Sequence, residues 1–367
     1  MRKRIVMKFG GTSMGSAEAM RRASAIVRAT HGEAVVVVSA MSGTTDALIA
    51  IGRTAIAAGN TMPKFNEIWD RHRVAVRDLR LDLELYEFRS EIERIVDHVA
   101  MVGELSPATL DLLQGLGERM SAKVFAALLR RDGAEAESVD ASRIVRTDDR
   151  HGCAGVDLPE TIARTREALL PMVAGRVIPV VTGFIGGTPS GRYTTLGRGG
   201  SDYSAAIIAN AIDATELQIW TDVDGMLAAD PRIVPSARTI PHLSFAEASE
   251  LAYFGAKVLH PKTIAPALEQ NIPVRVLNTF NPEAPGTLIT NEALPSIKSV
   301  TSKKGIAVVS VCSLGMLGAH GFLARIFETF ARHEVVVDVV STSEVSVSVT
   351  VDRAVPQGLV DDLRAFA

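Results

Sequence analysis

Short runs of apolar residues alternate along this chain with longer stretches in which apolar positions recur every three to four residues. The runs at Ile5–Phe9, Val35–Ser39, Val177–Val181, Glu216–Thr221 and Val274–Leu277 have strand length and are rich in β-branched residues. Each predicts a buried strand. Helical spacing occupies Ser16–Ala29, a segment from Asp46, Phe88–Val99, Leu110–Arg130 and Tyr203–Ala211. Residues 64–133 hold no strand pattern, only charged amphipathic helices. Strands separated by helices imply the α/β class, with a parallel sheet covered on both faces. Ligands of such sheets bind beyond the carboxyl ends of the strands. Lys8, Ser39, Gly183, Thr221 and Asp222 all fall at or near such ends.

The pattern changes after residue 280. Asn281–Gly305 is rich in proline and glycine early, then carries Lys298, Lys303 and Lys304, with no periodicity. The predicted division is a first domain at 1–292, a linker at 293–303 and a small domain at 304–367. In the small domain the pattern reads βαββα: Ile306–Val311, Gly321–His333, Val335–Ser341, Val345–Val351 and Gly358–Phe366. A length of 367 residues and 47% hydrophobic content suit one large and one small domain. The net charge of -3, without a basic stripe, gives no reason to expect nucleic acid. Cys153 and Cys312 form no metal-ligand pattern, so a reducing, cytoplasmic setting is expected. No apolar run approaches membrane-spanning length, and the N-terminus enters a strand at once, so neither a membrane span nor a signal peptide is expected.

Two glycine elements carry candidate chemistry. Thr195-Leu196-Gly197-Arg198-Gly199-Gly200-Ser201-Asp202 follows a strand pattern and leads into a helix. Its glycines permit positive φ and close ligand approach, and the free N–H groups of the helix form an anion site. Arg198 and Asp202 place a cation and a carboxylate in the same turn. The bland alternative is an ordinary strand-to-helix turn. Ile5–Ser13 is a strand pattern ending in Gly10-Gly11, followed by Thr12 and Ser13, with Lys8 as a lone charge. Lys8 either snorkels to solvent or reaches across the strand end to phosphate oxygens. Neither element is a Walker A or G-x-G-x-x-G motif.

Together with Gly117-Glu118-Arg119-Met120-Ser121, Trp220–Gly225, Asp230-Pro231-Arg232 and Phe254–Pro261, these two elements resemble the aspartate kinase family. Order and spacing agree, and the likeness covers essentially the whole chain. Met316–Leu323, Val337-Asp338 and Ser341–Ser346 resemble an ACT regulatory domain, most like that of lysine-inhibited aspartate kinases. The resemblance implies an amino acid kinase fold, a parallel-rich central sheet between helices, followed by a βαββα ACT-like α+β domain. It implies phosphoryl transfer from MgATP to the β-carboxylate of L-aspartate, giving 4-phospho-L-aspartate. This is the first step of lysine, threonine and methionine biosynthesis.

By the same resemblance, Lys8 and Asp202 are the catalytic residues, with Lys8 on the transferring phosphoryl group and the Gly10 and Gly11 amides beside it. Asp202 would orient the amino acid rather than act as a base, because a carboxylate nucleophile is already ionised. Thr45, Glu118, Arg198 and Ser201 would bind aspartate, with Ser39 nearby. Arginine's planar fork suits the α-carboxylate, and Glu118 suits the α-ammonium. Glu118 would otherwise be an exposed helix acid, but Gly115 and Gly117 in one turn, costing about 1 kcal/mol each, argue for a special position. Lys8, Gly10, Gly11, Thr12, Thr221, Asp222, Arg232 and Lys257 would hold the nucleotide. Arg232 has an equally ordinary reading as a surface ion-pair residue. Leu227 stands where many relatives carry Tyr. Mg2+ would ride on the phosphates, with no metal site of the protein's own.

Lysine is the expected effector, with threonine the runner-up. Met316, Gly321, Phe322, Val337, Asp338, Ser343 and Glu344 match effector positions, and Asp338 and Glu344 could jointly seat two ammonium groups. Gly318, Ala319 and His320 depart from lysine-sensitive relatives. The ACT pattern stops near its second helix, at Arg364–Ala367, which suggests a fragment of a longer polypeptide or an edge completed by a partner. A homodimer through this domain is expected. The rivals are another kinase of the same fold, acting on glutamate, N-acetylglutamate, carbamate or UMP, and a catalytically inactive lysine sensor.

Overall fold

The computed structural model describes residues 3–253, 263–293, 297–302, 304–352 and 355–367. The chain divides into two compact units, residues 1–301 and 302–367.

The first unit opens with strand β1 (Arg4–Phe9), helix α1 (Ala17–Ala29) and β2 (Glu33–Val38). Helices α2 (Thr44–Ile56), α3 (Met62–Asp78), α4 (Tyr86–Val102) and α5 (Pro107–Arg131) follow, then β3 (Ala136–Val139), α6 (Leu158–Ala174) and β4 (Ile178–Thr182). A hairpin of β5 (Ile185–Gly187) and β6 (Tyr193–Thr195) precedes α7 (Gly200–Ala211) and β7 (Glu216–Thr221). The unit continues through β8 (His242–Ser244), α8 (Phe245–Tyr253), α9 (Ala265–Glu269), β9 (Val274–Asn278) and β10 (Thr287–Thr290).

Eight of these strands form one sheet in the order β3-β4-β2-β1-β7-β9-β10-β8. The strands from β3 to β9 run parallel, and β10 is antiparallel to β9. Alternate residues of the central strands feed opposite cores. Ile5, Met7, Phe9, Val36 and Val38 pack with α1 to α5. Val6, Val35, Val37 and Val181 pack with α6, α7 and α9. This two-sided burial explains why the strands read as continuous apolar runs. Lys8 shares the face of Val6, so its side chain leaves the sheet toward α7.

Among the stretches that differ from the sequence-based expectation are an edge strand and part of the linker. The edge strand β3 has exposed Glu137 and Ser138, so it carries no apolar run to detect. Part of the expected linker packs on the first unit: Lys298 pairs with Glu247 at 2.8 Å, and Val300 N–H donates to the Ala228 carbonyl.

The second unit comprises β11 (Ile306–Cys312), α10 (Phe322–Arg332), β12 (Val337–Thr342), β13 (Ser346–Asp352) and α11 (Gln357–Arg364). Its antiparallel sheet has the order β11-β13-β12. Val311, Ile326, Phe330, Val347, Val349, Leu359 and Leu363 form its core. Among the described residues, no helix is long and apolar enough to cross a membrane.

Candidate active site

A cavity of about 570 Å3 opens at the carboxyl ends of β1, β2 and β4. Lys8, Gly11, Ser39, Thr45, Glu118, Arg198, Ser201 and Asp202 all line it. The sheet edge therefore gathers the proposed substrate set from segments almost 200 residues apart in sequence.

Lys8 Nζ lies 2.6 Å from Asp202 Oδ1, with 11% and 13% of the two side chains exposed. The contact is an ion pair without hydrogen-bond alignment, since Asp202 Oδ1 has no hydrogen-bond partner among the described residues. Asp202 belongs to the first turn of α7, where a helix N-terminus favours a carboxylate. The helix begins at Gly200, three residues earlier than the periodicity suggests. Gly199 caps it at φ 73°, a left-handed conformation that glycine adopts without strain. Arg198, just ahead of this cap, is exposed.

Glu118 also lines the cavity and is only 4% exposed. Its Oε1 accepts from Ala40 N–H at 3.2 Å, while the buried Oε2 has no partner among the described residues. Burial pushes this carboxyl up to about 8, and the Ala40 bond only partly offsets the effect. The nearby glycines prove to be a packing device inside one unbroken helix. A Cβ at Gly117 would come within 2.7 Å of Ala40 Cβ, so glycine lets α5 meet the loop after β2. Arg119 turns away from the cavity, bonds Glu91 at 2.8 Å, and lies over the Phe88 and Tyr193 rings. It locks the helix that carries Glu118.

The nucleotide candidates are less gathered. Gly10 N–H donates to the Trp220 carbonyl at 3.0 Å, so it is not a phosphate donor here; Gly11, not Gly10, lines the cavity. Thr12 is exposed and outside the lining. Thr221 ends β7, next to β1, and its hydroxyl bonds Asp222 at 3.2 Å. Asp224 anchors the following loop by accepting from Asn278 at 2.7 Å and Asn281 at 3.1 Å. Arg232 is exposed and pairs with Asp230 at 2.6 Å, away from the cavity lining. Leu227 is half-buried. Lys257 lies outside the described residues. Among the described residues, no group of three or more His, Cys, Asp or Glu side chains is placed to hold a metal ion.

The sequence reading missed several lining residues. Leu110 and Gln114 join Glu118 on one helix face at i, i+4 and i+8, a spacing visible in the sequence. Gly152 and Phe184 arrive through tertiary folding and leave no local signal.

In the second unit the seven effector candidates separate. Ser313 N–H bonds the Val345 carbonyl, and Cys312 pairs with Ser346, so Met316, Gly321, Phe322, Ser343 and Glu344 belong to one end of the sheet. Val337 pairs with Val351, which faces Ala307, placing Val337 and Asp338 toward the other end. The four strand steps from Asp338 to Thr342 alone span roughly 13 Å. Within one copy Asp338 and Glu344 therefore lie toward different ends of the sheet.

A sequence model of the amino acid kinase family matches residues 3–278, and one of the ACT domain matches residues 309–356. The chain is 42% identical to chloroplastic aspartokinase 3 of Arabidopsis thaliana over 95% of its own length and 64% of that protein's. It is 39% identical to lysine-sensitive aspartokinase 3 of Escherichia coli, over 95% and 78% of the two lengths. The structure of E. coli aspartokinase III in complex with aspartate and ADP superposes with a TM-score of 0.82 at 37% identity, covering 99% of this chain and 84% of that one.

Proposed function

The chain belongs to the amino acid kinase family, among the aspartokinases that carry an ACT domain, and from this premise we propose that it phosphorylates the β-carboxylate of L-aspartate with MgATP. The observation that carries the reading is one cavity holding a buried unpartnered carboxylate oxygen, an arginine, and a lysine held by an aspartate. Glu118 meets the α-ammonium, Arg198 grips the α-carboxylate with its planar fork, and Thr45, Ser201 and Ser39 supply hydroxyls. The E. coli relative solved with aspartate and ADP supports both ligands.

A β-carboxylate oxygen attacks the γ-phosphorus. The new P–O bond forms an acyl phosphate, the bond to the bridging oxygen breaks, and ADP leaves. No base is needed, because the nucleophile is ionised at neutral pH. Catalysis is positioning and charge stabilisation. Lys8 faces the charge developing on the transferring group, and Asp202 keeps the Lys8 side chain in place. Gly11, Thr221, Asp222, Arg232 and Lys257 attend the nucleotide; Arg232 must exchange its Asp230 partner to do so. Mg2+ enters with the nucleotide, held mainly by its phosphates.

The ACT unit binds lysine as feedback effector, supported by the lysine-sensitive E. coli relative. Two copies pair through this unit, so that Asp338 of one and Glu344 of the other share an effector. Exposed free Cys153 and Cys312 fit a cytoplasmic setting. An ATPase assay coupled to ADP release, run over a panel of amino acids, tests the reading. Turnover should appear with L-aspartate and not with glutamate or N-acetylglutamate. Turnover with N-acetylglutamate instead would overturn it, since that substrate has no ammonium for Glu118.

A further inference from the structure

The charged groups that line the cavity belong to different elements. Glu118 rides on α5, whereas Arg198 and Asp202 follow β6. Asp111 joins them. It lies on α5 seven residues before Glu118, hence on the same helix face two turns away, and is 1% exposed. Its carboxylate accepts from Thr195 Oγ1 at 2.6 Å and Thr195 N–H at 3.1 Å. It also accepts from Gly152 N–H at 3.0 Å and from His151 Nδ1 at 2.9 Å. Since Thr195 and Gly152 already point donors at this carboxylate, His151 Nδ1 is assigned as a further donor. Thr195 is the last residue of β6, directly ahead of the Gly197–Asp202 turn, and both Thr195 and Gly152 line the cavity. The phosphoryl-transfer scheme gives Asp111 no task.

We propose that Asp111, clasping Thr195, Gly152 and His151, is a positioning residue that sets the separation of Glu118 from Arg198 and so the affinity for the amino-acid substrate. The inference rests on the aspartate reading above. A helix is stiff, so a displacement at Asp111 is carried to Glu118. Thr195 passes the same displacement into the turn bearing Arg198. The nucleotide residues Thr221 and Asp222 hang from β7 and are not tied to this clasp.

The test is calorimetry of the full chain with L-aspartate and with ADP, separately, on the wild type, Asp111→Asn, Thr195→Val, His151→Asn and His151→Leu. Asp111→Asn replaces an acceptor oxygen with a donor facing donors. It should weaken aspartate binding roughly ten- to hundredfold, the scale of an ångström-level misplacement, and leave ADP binding within about twofold. Thr195→Val should act in the same direction. His151→Asn keeps a donor near the Nδ1 position and should bind aspartate nearly as the wild type does, while His151→Leu should not. If Asp111→Asn fails to fold, Thr195→Val and the His151 pair carry the test. Parallel weakening of aspartate and ADP, or wild-type aspartate affinity in folded Asp111→Asn, Thr195→Val or His151→Leu, would overturn the clasp. A wild type that binds ADP but no aspartate would instead overturn the substrate reading.

Discussion

Aspartate affinity should rise with pH through neutrality, and Glu118 should be the reason. Its carboxyl sits at about 8, raised by burial from an ordinary 4.5. An ammonium partner requires the ionised form. At pH 7 only about one molecule in ten is ionised, so apparent affinity should be about tenfold below its alkaline limit, and about twofold below at pH 8. Binding should release close to one proton per aspartate at pH 7. Calorimetry between pH 6.5 and 8.5, in two buffers of different ionisation enthalpy, measures both quantities. Stability carries the opposite sign. Between pH 4.5 and 8 the folded protein holds a proton on Glu118 that the unfolded chain has lost. Stability of the empty protein therefore falls by ~1.4 kcal/mol per pH unit across that window. Glu118→Gln should abolish the proton release, weaken aspartate binding and raise the melting temperature at pH 8. Aspartate affinity that is flat from pH 6.5 to 8.5, with proton release unchanged by Glu118→Gln, would refute the assignment of Glu118 to the ammonium.

Three further outcomes are expected. Lys8→Met should lower kcat by roughly a hundred- to a thousandfold and also destabilise the fold, because Asp202 loses its ion-pair partner, whereas Arg198→Lys should mainly raise the aspartate KM; steady-state kinetics separates the two. His72 is fully buried on α3, with Nδ1 on the Ile68 carbonyl and its pKa lowered to about 4 by burial, so stability should fall by ~1.4 kcal/mol per pH unit as pH drops from 6.5 toward 4, and His72→Phe should flatten that limb of a melting-temperature profile. Calorimetry with lysine and threonine should show lysine binding, weakened by Glu344→Gln; binding of threonine alone, unaffected by that change, would reverse the effector assignment.

Much of the central site was legible because the sheet is buried on both faces. In such a strand a lone charge like Lys8 is conspicuous, and the candidate cavity opens at the carboxyl end where it sits. Glu118 stood out through its neighbouring glycines, and these serve close packing of the helix against the loop after β2. Three kinds of feature were not legible. The exposed edge strand Ala136–Val139 buries too little to leave an apolar run. Gly10 looks like a phosphate donor until the neighbouring strand supplies Trp220 as its partner, and strand order is a tertiary fact. Asp111 reads as one more polar residue near a helix start; only folding brings Thr195, Gly152 and His151 onto its carboxylate. The effector candidates show the same limit, since matching positions in one sequence says nothing of which end of a sheet each occupies.

Trapping the acyl phosphate with hydroxylamine tests the central claim most directly. The folded chain with saturating ATP, Mg2+ and L-aspartate should yield aspartyl β-hydroxamate, and Lys8→Met should yield far less. Absence of hydroxamate from the wild type, with folding and nucleotide binding verified in the same sample, would contradict the assignment of this cavity to aspartate phosphorylation.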